Sequence, residues 1–122
     1  MEIIPYVYLK DHWSISYDVI ETIWEKMLQD GTFKRVFAAG TVKTFEQFYA
    51  FLQNKNNCVV TIWDGNDIAF IGWLNNFTAT SAAAHFSCFK SSFGKAVEIS
   101  KVALKYWFGF PFLKTIIGTI PE

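Results

Sequence analysis

The stretch Cys58–Asn75, CVVTIWDGNDIAFIGWLN, decides the fold class. Both halves are rich in β-branched and aromatic residues, and their apolar positions follow a period of two rather than the 3.6 of a helix. Between them Asp64-Gly65-Asn66 supplies the residues of a tight reversal. The pattern predicts a strand over Cys58–Trp63, a hairpin turn, and a second strand over Ile68–Leu74. Downstream, no Asp, Glu, Lys or Arg occurs from Ile68 to Phe89. Such a run invites a membrane reading, but Asn75, Asn76, Thr78, Thr80, Ser81, His85 and Ser87 break it up. Two core strands joined by a polar connection explain it better, so a third strand is expected over Ala82–Phe89. The three strands form an antiparallel meander.

Upstream, Ile3–Leu9 reads as a strand, with Pro5 placing it at a sheet edge. Val19, Ile20, Ile23, Trp24, Met27 and Leu28 fall at helical spacing, which predicts a helix over Tyr17–Asp30 ended by Gly31. Thr44-Phe45-Glu46-Gln47 is a capping-box pattern that opens a second, shorter helix ending near Asn54–Asn57. Beyond the meander a helix is expected over Lys95–Phe108, stopped by Gly109, and a last strand over Lys114–Ile120. The order is β-α-α-β-β-β-α-β: an α+β chain with a mixed sheet and helices packed on it. Its closing β-α-β unit is a right-handed crossover between parallel strands.

At 122 residues the chain has the length of one domain, 1–122, and its 52% hydrophobic content provides a sizeable core. Eleven basic and eleven acidic residues cancel, and no basic stripe stands out, so nucleic acid is not an expected partner. Cys58 and Cys88 lie in apolar segments, His12 and His85 are isolated, and no zinc spacing occurs. The thiols are expected to be buried and free. The N-terminal MEIIPYVYLKDHW has neither the basic start nor the apolar region of a signal peptide. A cytoplasmic protein without membrane contact is expected, in which the Asn76-Phe77-Thr78 sequon is accidental.

Lys90–Ser100, KSSFGKAVEIS, joins the third meander strand to the following helix. Successive backbone N–H groups at a helix start, with the positive end of the helix dipole behind them, suit a diphosphate. Gly94 lets the main chain approach closely, and Lys90 and Lys95 add point charges. The alternative is structural: Gly94 relieves a tight strand-to-helix turn and the lysines are solvated.

Ser91-Ser92-Phe93-Gly94-Lys95-Ala96, in this place in the element order, resembles the pyrophosphate loop of the GNAT superfamily of acyl-CoA-dependent N-acyltransferases. That loop reads Gln/Arg-x-x-Gly-x-Gly/Ala; Gly94 and Ala96 match, and Ser91 stands where Gln or Arg is usual. Asp67–Leu74 and Ala84–Phe89 look like the family's third and fourth strands, and Thr115–Glu122 is similar to its fifth. In flavour the chain is closest to short acyltransferase-like proteins of phage and bacterial genomes. The resemblance implies acetyl-CoA or another acyl-CoA as donor, held by Ser91, Ser92, Phe93, Gly94, Lys95 and Ala96 and by the main chain near Phe86 and Cys88. It implies a small-molecule or protein amine as acceptor, between the first two helices and the fourth strand, where Glu46 and Tyr49 could line a cleft.

Acyl transfer to an amine needs a base and an acid. His85, on the strand that faces the thioester, is the candidate base; a lone strand histidine is more often structural. The family's tyrosine acid lies on a helix after the fifth strand. That helix and two final strands have no counterpart before Glu122, so the domain is expected to be truncated at its C-terminus, or covered there by a partner such as a second copy in a homodimer. Two other readings stand beside the enzyme. One is a catalytically inactive accessory or assembly protein on the same scaffold, acting by protein–protein contacts. The other is an unrelated α+β domain.

Overall fold

A computed structural model describes residues 1–32, 37 and 42–118. The described elements are β1 (Glu2–Pro5), α1 (Tyr17–Asp30), α2 (Phe45–Gln53), β2 (Cys58–Asp64), β3 (Asp67–Asn75), β4 (Ser81–Cys88), a 3-10 turn (Lys90–Lys95), α3 (Ala96–Trp107) and β5 (Thr115–Gly118). The chain is α+β. Its five strands form one mixed sheet in the order β1-β2-β3-β4-β5, antiparallel from β1 to β4 and parallel between β4 and β5. Thr119–Glu122, which include the end of the expected last strand, lie outside the described residues.

Alternation along the strands sorts the core into two layers. Val59, Ile71 and Trp73 point to one face, where Ile20, Ile23, Trp24 and Met27 of α1 and Phe48 and Leu52 of α2 cover them. Val60, Ile62, Phe70, Leu74, Ala82 and Ala84 point to the other, beneath Ile99, Ala103 and Trp107 of α3. With helices on both sides, β3 is buried from Ile68 to Leu74, which is why its sequence is an unbroken apolar run. Each fully buried aliphatic side chain contributes at most about 1.5–3 kcal/mol of transfer free energy.

The period of two does not hold throughout. Ile62 pairs with Phe70 but Trp63 pairs with Ile68, so Ala69 is the extra residue of a β-bulge. The bulge flips the alternation: Ile68 joins the α1/α2 layer while Phe70 joins the α3 layer. The freed Ala69 carbonyl accepts the Phe89 N–H at 3.1 Å, and this bond fixes where β4 gives way to the turn.

Local signals set the element ends. Ser16 caps α1 through Val19 N–H, and Gly31 ends it in the left-handed region at φ 72°. The capping box of α2 is complete: Thr44 Oγ1 accepts from Gln47 N–H, and Gln47 Oε1 accepts from Thr44 N–H. Gly65, at φ 62°, is the left-handed residue of the β2–β3 turn.

Three expectations are corrected. The first strand stops at Pro5, not Leu9, because Ser14 draws the chain aside: its hydroxyl donates to the Pro5 carbonyl at 2.6 Å and accepts the Val7 N–H at 2.9 Å. Val7–Leu9 instead pair back through the bridge between Tyr8 and Trp13. Gly109 does not end α3 in the left-handed region; a side chain there would come 3.0 Å from the Tyr106 carbonyl, so close packing calls for glycine. Cys58 and Cys88 are free but half-buried rather than buried; burial still pushes both thiols up.

Candidate functional site

The strand-to-helix joint after β4 is built by three anchors. Phe89 is buried in the α1/α2 layer, with the Lys26 ammonium 5.5 Å from its ring centroid. Lys90 N–H donates to Asp30 Oδ2 at 2.9 Å, which ties the start of the 3-10 turn to the end of α1. Lys95 Nζ donates to Asp64 Oδ2 at 2.6 Å, which ties its end to the β2–β3 hairpin. This exposed pair holds the Asp64 carboxyl below its ordinary range and raises Lys95 above its own.

Within the turn, Ser91, Phe93, Gly94 and Lys95 are exposed, Ala96 is half-buried and Ser92 is 7% exposed. Ser92 therefore faces the protein, with its carbonyl 4.0 Å from the Cys88 sulfur. Gly94 has no left-handed φ, and a Cβ there would meet nothing within 4 Å. The chain conformation thus makes no demand for glycine at 94, and the space above it is open. Lys95 is the N-cap of α3 and no side chain caps its first turn, whose Ala96 N–H donates to the Phe93 carbonyl of the preceding 3-10 turn. Glu98 in that turn opposes the positive end of the dipole for an incoming anion.

The remaining candidates lie on β4. Phe86 stacks on Phe70 at 5.7 Å between ring centroids and is 53% exposed; Cys88 packs into the α3 layer. His85 points to the opposite face, where it stacks on Trp73 at 6.1 Å. Burial pushes its imidazole below the ordinary histidine range. The sheet plane thus separates His85 from the side chains of Phe86 and Cys88, and only the main chain of β4 joins them. On the side away from β3, β5 pairs with Ser81–Ala84, and no strand pairs with His85–Cys88 there among the described residues.

The arrangement fits a diphosphate in its open space and not in its charges. The space at Gly94 and the lack of a side-chain cap on α3 suit the ligand, although the turn already uses the Ser92 and Ala96 N–H groups on the Phe89 and Phe93 carbonyls. But Asp64 already holds Lys95, Asp30 occupies the Lys90 N–H, and Glu98 adds a third carboxylate nearby. Among the described residues no group of three His, Cys, Asp or Glu side chains could hold a metal ion, and no helix is long and apolar enough to cross a membrane.

A second region escapes the sequence. An open cleft of about 510 Å³ lies between the Tyr8–Trp13 hairpin, the start of α1 and α2. Tyr49 was within reach of sequence reasoning as a cleft-lining residue of α2; Tyr8, Asp11, His12, Trp13 and Tyr17 were not, because no motif links them. Glu46 is not among its lining residues. A smaller hollow of about 260 Å³ lies beside Lys26, Trp63 and Asp67, and no residue of Lys90–Lys95 lines it. Compared with protein-family models, with curated proteins and with solved structures, the chain matches none of them.

Proposed function

We propose that this chain binds an acyl-CoA along the β5 side of β4 near Phe86 and Cys88 and over the turn that follows it, and transfers the acyl group to an amine, in the manner of the GNAT enzymes it resembles. The observation that carries this reading is the continuous run from His85–Cys88 of β4, which no described strand pairs on the side away from β3, into the exposed turn and the start of α3, which no side chain caps. Support also comes from the sheet order, in which an antiparallel meander is followed by a parallel β4–β5 pair.

On this reading the exposed Ser91, Phe93 and Gly94 side of the turn holds the diphosphate, and the strand backbone near Phe86 and Cys88 holds the amide-bearing arm. An acyl-CoA bound there supplies an activated acyl carbon. His85 takes the proton lost by the attacking amine as the new N–C bond forms and the C–S bond breaks, the sulfur leaving with the electron pair as the CoA thiolate. Its depressed basicity leaves it neutral at pH 7, the form that can accept that proton. The opposing carboxylates keep the affinity low. Thermal unfolding in the presence of acetyl-CoA tests the reading: millimolar acetyl-CoA is expected to raise Tm, and no rise would overturn it.

A second reading, a non-catalytic assembly or accessory protein, is favoured by the surface beside β5. Phe77, Phe112 and Phe110 form a continuous aromatic row, Phe112 is 43% exposed, and Ile117 on β5 is 56% exposed. Light scattering discriminates: a dimer that ignores CoA favours this reading, and a monomer that binds CoA opposes it.

A further inference from the structure

The cleft beside α1 is assembled by hydrogen bonds that leave its rings in place and its mouth open. Tyr8 and Trp13 bridge across the hairpin, and Leu9 N–H donates to the His12 carbonyl at its tip. Trp13 rests on buried Tyr6, stacked at 4.7 Å, and Tyr8 meets Trp13 edge-on at 5.3 Å. On the other side Tyr17, the first residue of α1, lies 5.2 Å from Tyr49 of α2. Tyr8 is 61% exposed and Tyr17 51%, so two large rings are held by neighbours yet keep much of their surface free.

Asp11, whose carboxylate contacts His12 Nδ1 at 2.6 Å, is the acidic residue of the lining beside His12, and neither lysine nor arginine contributes to it. Ring faces carry negative potential and attract cations. A concave site of about 510 Å³ is within the size range of small-molecule sites. We propose that this cleft binds an organic cation, an alkylammonium group held against the Tyr8, Trp13, Tyr17 and Tyr49 rings with Asp11 at its edge. It is a site separate from the turn after β4: β1 and β4 are three strand spacings apart, roughly 14 Å. The proposal stands whether or not the chain transfers acyl groups.

The test is a titration of the isotope-labelled full chain with tetramethylammonium chloride, followed by amide NMR at constant ionic strength, beside a parallel titration with the neutral 2,2-dimethylpropanol. The expected result is a saturable shift confined to amides from Tyr8 to Tyr17 and around Tyr49, with the cation binding more tightly than the alcohol. Tyr8→Ala and Tyr17→Ala, which remove exposed rings, are each expected to weaken cation binding about two- to fivefold; Asp11→Asn is expected to weaken it as well. Equal affinity for the alcohol, shifts outside the cleft, or no saturable shift up to ~100 mM would overturn the proposal. The cation-against-alcohol comparison on the unaltered chain decides the matter even if a variant fails to fold.

Discussion

The turn after β4 and the cleft beside α1 are made of opposite materials. The turn offers main-chain groups and one glycine without a neighbour, with carboxylates already on the Lys90 N–H and the Lys95 ammonium. The cleft offers side-chain rings and a carboxylate, held by a hairpin that does not belong to the sheet. One suits an anion if its local carboxylates yield; the other suits a cation. They also depend on different parts of the fold. The turn hangs on the central strands through Phe89 and Ala69, whereas the cleft hangs on the sheet edge through Ser14 and Pro5. Damage to one should therefore spare the other.

The largest effect is expected at Gly72. A Cβ there would lie 2.7 Å from the buried Phe70 ring and 3.1 Å from the His85 carbonyl. Gly72→Ala should destabilise the fold by about 1–3 kcal/mol, as overpacked cores do, and should disturb amides of β4 while leaving the cleft amides in place. Urea denaturation and amide NMR read the two parts. Next comes Ser14→Ala, which removes both hydrogen bonds that turn the chain aside after Pro5. A loss of about 1 kcal/mol is expected, with weaker cation binding and an unchanged turn; an unaltered cleft would break the distinction between the two regions.

His85 sharpens the comparison through pH. Its folded-state basicity lies below the ordinary histidine value of 6.5 because burial disfavours the charged form. The unfolded chain therefore binds this proton more readily, and stability rises with pH across that window. The contribution is in full force above the unfolded value and falls away as pH drops below it, down to the folded value. His85→Gln should flatten the slope between those limits in a pH series of unfolding curves; an unchanged slope would deny the burial. The smallest effect on the fold is expected from Asp64→Asn, since its ion pair with Lys95 is exposed. Its effect on ligand is larger: freeing Lys95 should tighten acetyl-CoA binding a few-fold, by an amount that shrinks with added salt.

How much of this is legible in the sequence depends on the range of the interactions involved. The bounds of α1, the capping box at Thr44 and Gln47, and the reversal at Gly65 follow from local chemistry, and the structure has them as read. The end of β1 does not follow, because Ser14 acts on Pro5 from nine residues away. The bulge at Ala69 is hidden in a strand that is apolar on both faces, where a shift of phase leaves no polar residue out of place. The turn could be singled out because its elements are consecutive; that it carries Asp30 and Asp64 beside it depends on partners 60 and 31 residues away. The cleft joins Tyr8 to Tyr49 across two helices and has no linear signature.

The central claim is that the turn after β4 is where acyl-CoA binds, and amide NMR of the labelled chain during titration with acetyl-CoA tests it most directly. The account predicts saturable shifts along His85–Glu98 with the cleft amides still. No saturable shift, or shifts confined to Tyr8–Tyr17, would contradict it.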